Sequence, residues 1–281
     1  MEAIIYRKEC KEGDKNYFLL ASDMHTDDAG FDSAKWYSDA NDAVSRHARI
    51  YLNGDILGLI LPTDKKRYTR GRDIGNTDDK IGEAVAYAEK VLLPYVDFID
   101  VIGCGNHETA VTKYHNIDAT RLLIGFLNRS RSKTLPAIRH GGYTGFIRNV
   151  LYRKGDANKH AYDIFYNHGQ GGSSPVTKGT IDLSRRTNIR ADLIWLGHKH
   201  VNISEFMDSE IGLSHAGEVY EKEKRGIITG TYLKNAEQTN ASEDGYTLSY
   251  QEEKCRTPQG RGSALLELTY YGDRIVSKVT T

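Results

Sequence analysis

Only three cysteines, Cys10, Cys104 and Cys255, occur in this chain of 281 residues, and they are far apart and odd in number. That excludes a disulfide-stapled framework and fits a reducing compartment. No stretch approaches the roughly 18 apolar residues that a spanning helix needs. The opening MEAIIYRKECKEG holds no apolar core ahead of a small-residue cleavage site. A soluble cytoplasmic protein without a membrane partner is therefore expected. Prolines number five, too few for a Pro-rich linker between domains. Charge of one sign is also lacking: Lys plus Arg and Asp plus Glu both total 38, so no global field draws the molecule to a polyanion. Recognition of nucleic acid would have to come from a local patch.

What is present is an alternation of two periodicities. Apolar runs predict strands near Tyr17–Ala21, Ile50–Leu52, Phe98–Ile102, Asp163–Tyr166 and Leu193–Leu196. Between them, residues 79–93 set Ile81, Ala84, Val85, Ala88, Val91 and Leu92 at helical spacing, with Pro94 closing the run. A second helix is expected over 118–128, with Leu122, Leu123 and Phe126 facing inward, and a third over 33–47. After Asn202 the texture turns to strands, ending in a hairpin signal at Gly272-Asp273. The pattern is βαβα units followed by a strand-rich third, and these elements alone would equally allow a single doubly wound sheet. Segment 63–79 is polar and locally basic, and 63–79 and 234–262 read as loops.

The chemistry lies at the strand ends. After the first run comes SDMHTD, with Asp23 and His25 two residues apart, which in extended backbone would aim both side chains one way. The second run ends in NGD, at Asp55; the third in GNHE, with Asn106 and His107; the fourth at His168; the fifth in GHKH, with His198 and His200. Ligands in open α/β sheets gather at the carboxyl ends of strands, and glycines there let backbone turn sharply and approach them. Any one of these motifs is an ordinary turn or capped histidine. Five in one order, each at a strand end, are not explained that way. The donors are nitrogen and oxygen with no thiolate, which suits Mn²⁺, Fe or Zn²⁺.

The series D-x-H, G-D, G-N-H-E, H, G-H-x-H, spanning residues 23–200, resembles the calcineurin-like metallophosphoesterases. The resemblance implies one α/β domain over 1–281, its motifs within 17–202 and its strand-rich part at 203–281. It further implies two stacked mixed sheets flanked by helices, a four-layer α/β/β/α sandwich. It implies two divalent ions, Mn²⁺ foremost with Fe, Zn²⁺ or Ni²⁺ as alternatives. Asp23, His25, Asp55 and His200 would hold the first, and Asp55, Asn106, His168 and His198 the second. Such a pair, about 3.5–4 Å apart, clamps a phosphate and acidifies a bridging water for in-line attack. His107 matches a non-ligand position that faces the leaving group, a candidate proton donor. In many relatives an acid three residues after the G-D aspartate pairs with that histidine. Here the position is Gly58, so a backbone carbonyl or another acid must orient His107.

The implied function is metal-dependent phosphoester hydrolysis. A phosphodiesterase or nuclease is favoured by Lys65, Lys66, Arg67, Arg70 and Arg72, with Tyr68 among them, a set that could follow a nucleic-acid backbone. A phosphomonoesterase is the alternative, since acids at 64, 73, 78 and 79 balance that loop. A non-catalytic scaffold of the same fold is the third reading, disfavoured because every implied ligand is present. No substrate-binding residue is legible.

Overall fold

Strands buried on both faces must find two apolar partners, one on each side of the sheet. In the computed structural model, which describes residues 3–61, 79–155, 159–172, 174, 176–214, 216–234 and 260–281, six-stranded sheets solve this by stacking. Strand β1 is Ile4–Glu9 and β2 Lys15–Ala21, followed by helix α1, Ser33–Ser45, and β3, Arg49–Leu52. Helix α2 is Lys80–Leu92, ending in a 3-10 turn at Leu93–Tyr95, then β4, Ile99–Gly103. Next come α3, Asn106–His115, α4, Ala119–Ser130, β5, Arg139–Gly142, β6, Thr144–Tyr152, and β7, Lys159–Asn167. The rest are α5, Thr180–Ser184, β8, Leu193–Leu196, β9, Ile203–Leu213, β10, Val219–Ile228, β11, Ala264–Tyr271, and β12, Arg274–Thr280.

The first sheet runs β12-β11-β2-β3-β4-β5, with β2 to β5 parallel and β11 antiparallel to both its neighbours, β2 and β12. The second runs β1-β6-β7-β8-β10-β9, with β7, β8 and β10 parallel. Alternate residues face alternate layers. Phe18, Leu20, Tyr51 and Val101 of the first sheet meet Ile164, Tyr166, Leu193 and Trp195 of the second. Their neighbours Leu19, Ala21, Ile50 and Leu52 turn outward onto Trp36, Val85, Ala88, Leu123 and Leu127 of the helices. On the far side, Phe165, Ile194, Leu196 and Ile228 are covered by Leu183 of α5. Each fully buried Phe or Leu contributes roughly 1.5–3 kcal/mol. The result is the four-layer arrangement implied above, its fourth layer only a five-residue helix.

Asp32, Asp79 and Asp118 cap α1, α2 and α4, each accepting a backbone N–H three residues on. The structure departs from expectation at α4, where Leu122 is exposed and the inward face is Leu123, Ile124 and Leu127. The strand-rich third divides: β9 and β10 extend the second sheet, whereas β11 and β12 extend the first. The basic segment at 63–78, the stretch 235–259, His215 and Cys255 lie outside the described residues.

Candidate metal centre

Because β2, β3 and β4 are adjacent and parallel, their carboxyl ends share one edge, and β7 and β8 bring a second set to it from the other sheet. Asp23 and His25 follow β2, Asp55 follows β3, Asn106 and His107 follow β4, His168 follows β7, and His198 and His200 follow β8. Among the described residues three groups have donor atoms within 4.8 Å of one another: Asp23, His25 and His200; His25, Asp55 and His107; Asp55, His168 and His198. These groups chain together through His25 and Asp55. Strand ends distant in sequence thus form one cluster with the chemistry of a metal site.

The backbone there is held in an uncommon state. Asp23, His25, Asp55, His198 and His200 all have positive φ, between 48° and 68°. L residues take this conformation at a cost of roughly 1–3 kcal/mol each, and they keep it where surrounding structure imposes it. This corrects the extended reading of D-x-H: β2 ends at Ala21, and Asp23 and His25 approach one centre through left-handed turns. The turns are laced to the neighbouring loop, Asp23 N donating to Gly54 O at 3.0 Å and His25 N to Asp55 O at 3.0 Å. Gly105 is required by close approach. A Cβ there would lie 2.1 Å from Asp55 Oδ1 and 2.6 Å from His168 Nε2.

Ring orientation is set from behind. The Nδ1–H of His168 donates to Asn53 O at 2.8 Å, turning Nε2 to within 3.1 Å of Asp55 Oδ2. That Nε2 is fully buried yet has no hydrogen-bond partner of acceptable geometry, and neither has Asn106 Oδ1. Nε2 of His25 and of His200 face each other at 3.4 Å, with Asp23 Oδ1 also 3.4 Å from His200 Nε2. His198 Nε2 pairs with Gly171 O at 3.0 Å, which leaves Nδ1 to the centre. Buried polar atoms are normally paired. A buried ring nitrogen set against the Asp55 carboxylate, and a buried amide oxygen without a hydrogen bond, fit a divalent cation.

The electrostatics agree. Burial opposes ionisation of Asp55, but His168 and His107 hold its carboxyl well below the usual range. Asp23 is lowered against burial by His168 and His200. Burial, then His107, pushes His25 well down, so its ring is neutral with a lone pair to offer. Burial and His168 lower His198 likewise. His168 is the exception: burial would lower it, yet Asp55 and Asp23 lift it to about 10. In the metal-free protein its positive charge offsets the two carboxylates, the task a cation would take over.

Several supporting residues have no legible role in the motifs. Glu108 is buried and accepts from the N–H of Asp55 (3.1 Å), Leu57 (3.0 Å) and Gly105 (2.8 Å), tying the G-D loop to the start of α3. Its place three residues after the helix cap is the signal that could have found it. Burial, then Asp55, raises its pKa to about 7. Lys199 is buried between the two GHKH histidines and donates to the carbonyls of Gln170, Gly171 and Gly172, pinning the loop after His168. Asp27 accepts from Gly58 N and Leu59 N, contacts no spacing announces. His107 donates its backbone N–H to Asp55 Oδ1 at 3.0 Å, and its Nδ1 bonds to the carbonyl of Gly58. A backbone carbonyl therefore orients His107, one of the two options open at Gly58. The half-buried Cys104 thiol is pushed up to about 12 by burial, which excludes a thiolate at neutral pH.

No family model matches the chain, and no curated protein does. Among solved structures it is similar to GAP50, the anchor in the inner membrane complex of Plasmodium, at 12% identity, covering 95% of this chain and 84% of that one, with a TM-score of 0.41. It is similar to a conserved uncharacterised protein, a predicted phosphoesterase, of Streptococcus pneumoniae at 12% identity, 95% and 99% coverage and a TM-score of 0.30. A Thermotoga maritima protein solved by NMR follows at 13% identity, 95% and 99% coverage and a TM-score of 0.28. At these scores none of the three bears on what the chain does.

Proposed function

We propose that the chain is a metal-dependent phosphoester hydrolase of the calcineurin-like kind, acting on phosphodiesters, nucleic acid among them. The observation that supports this reading is the meeting of Asp23, His25, Asp55, His107, His168, His198 and His200 from five strand ends, with His168 Nε2 and Asn106 Oδ1 buried and without a hydrogen bond. Asp23, His25, Asp55 and His200 would hold one ion, and Asp55, Asn106, His168 and His198 another. When bound, two divalent ions supply charge neutralisation for the phosphate and an acidified water. Mn²⁺ is the first choice for N/O donors, ahead of Fe, Zn²⁺ or Ni²⁺.

The chain's own groups do the rest. Asn53 and Gly171 carbonyls fix which nitrogen His168 and His198 present. Glu108 holds the Asp55 loop against α3. His107, its Nδ1–H bonded to Gly58 O, turns Nε2 to the departing oxygen; once Nε2 has taken up a proton from solvent, the doubly protonated ring passes it to that oxygen as the ester P–O bond breaks. The preference for a diester rests on the cations at 65–72, which follow Asp55 closely in sequence.

The test is a screen of metal-loaded protein, with Mn²⁺, Fe²⁺, Zn²⁺, Ni²⁺ and Mg²⁺ in turn, against bis(p-nitrophenyl) phosphate, p-nitrophenyl phosphate and single- and double-stranded DNA and RNA. Hydrolysis of the diester above the monoester is expected. Turnover of the monoester alone returns the alternative, and no turnover with any metal leaves a non-catalytic scaffold.

A further inference from the structure

The bond from His107 to Gly58 leads one step further. The carbonyl of Gly58 and the N–H of Leu59 belong to one peptide unit. Its oxygen accepts from His107 Nδ1, and its N–H donates to Asp27 Oδ2 at 2.8 Å. The other oxygen of Asp27 takes the N–H of Gly58, so a buried carboxylate grips both amides of this turn. We propose that Asp27 is a positioning residue for His107, acting through the Gly58–Leu59 peptide. This role rests on the phosphoesterase reading, in which His107 serves the leaving group.

Two observations and one physical argument favour a built device over a chance contact. Leu59 has φ of 45°, a left-handed state that a bulky residue adopts only where its surroundings hold it, and the Asp27 carboxylate holds it. At Gly58 a Cβ would sit 3.3 Å from Asp27 Oδ1, so a second acid at that position would meet the first at close range. The anion therefore stands on the far side of a peptide rather than against the ring. Thirdly, hydrogen bonds in series polarise one another. A peptide whose N–H faces a carboxylate has a more negative oxygen, a stronger acceptor for Nδ1–H. That fixes the tautomer and leaves Nε2, 3.9 Å from Asp55 Oδ2, toward the centre.

The ring itself gives the direct test. In full-length protein with ¹⁵N-labelled histidine, metal-free and Zn²⁺-loaded, His107 should rest as the Nδ1–H tautomer with a downfield, slowly exchanging proton. Asp27→Asn, with the rest of the spectrum reporting an intact fold, should move that proton upfield and bring in the Nε2–H tautomer. Unchanged His107 signals in the folded variant would overturn the proposal. Should the variant not fold, wild-type protein decides. A coupling across the hydrogen bond between His107 ¹⁵Nδ1 and the Gly58 ¹³C carbonyl supports it, and an Nε2–H tautomer refutes it.

Kinetics separates positioning from mere structure. Asp27→Asn should slow hydrolysis of an alkyl diester by roughly 10–100-fold, the usual cost of removing a group behind an active one, with KM and metal content retained. In a His107→Ala background the same change should cost little, because its target is gone. An equal loss in both backgrounds would make Asp27 a structural residue only. Wild-type protein that hydrolyses no phosphoester would sink the functional reading, while the ring spectra would still decide the contact.

Discussion

Asp55 stands at the junction of the donor groups, and its two oxygens are already distinct: Oδ1 takes the His107 backbone N–H, and Oδ2 lies against His168. A neutral amide bridges two cations poorly, so Asp55→Asn should lower metal content at both positions and remove most activity. Elemental analysis beside rate measurement checks this, and near-normal values of both would contradict it. His107→Ala should keep the metals and lower the rate by roughly 10²–10⁴-fold on esters with poor leaving groups. The loss should be smaller on p-nitrophenyl esters, whose leaving group scarcely needs a proton. His168 adds a pH dependence. Its pKa in the folded, metal-free protein is raised from 6.5 to about 10, so the stabilisation is complete below pH 6.5 and is lost as pH rises through about 10. Calorimetry on metal-free protein should show its melting temperature falling across that interval. Metal uptake at pH 8 should release a proton, read from titration heats in buffers of different ionisation enthalpy.

At the scale of elements, the centre depends on loops fastened to one another. Glu108 on α3 is the fastening between the G-D loop and the helix, and its two oxygens satisfy three backbone N–H groups. Glu108→Ala would leave these donors buried and unpaired, at about 1–3 kcal/mol each before relaxation. Urea unfolding should show a loss of a few kcal/mol after relaxation, with metal affinity falling too because Asp55 N is among the three. The segment 63–72 carries the other prediction at this scale. If a nucleic-acid strand lies across the metals, neutralising Lys66, Arg67 and Arg70 together should weaken polynucleotide binding and flatten its salt dependence, as fewer counterions are released. Hydrolysis of a small diester should be almost unchanged. An unaltered salt slope would favour the monoester alternative.

For the whole molecule, the donors come from both sheets, so the centre exists only while the sheets stay stacked. Trp195 lies fully buried in that interface, its indole N–H bonded to Thr229 Oγ1 at 3.0 Å. Trp195→Ala should cost about 3–5 kcal/mol. It should also loosen His198, two residues beyond the end of β8, and so weaken metal binding. Saturating metal should raise the melting temperature of wild-type protein more than that of Asp55→Asn, since ligand binding to the folded state alone adds stability by mass action.

The local chemistry was written in the chain. Apolar runs marked β2, β3, β4, β7 and β8, helical segments were expected at α1, α2 and α4, and Asp or His beside Gly at strand ends named the residues that now meet. These signals survive reading because each is a property of a few consecutive residues. Three matters were decided elsewhere. Alternating elements alone did not choose between one sheet and two; the choice follows from which apolar face Phe18 and Trp195 bury against, a pairing between residues far apart. Strand β1 is half polar and α3 opens inside the GNHE motif, so neither carries a period of its own; pairing with β6 and the Glu108 bonds define them. What orients His107 was legible only as a gap, since Gly58 has no side chain to do it. The tertiary structure filled that gap with a backbone carbonyl and, behind it, Asp27, because hydrogen bonds join atoms by distance in space and not by position in the chain.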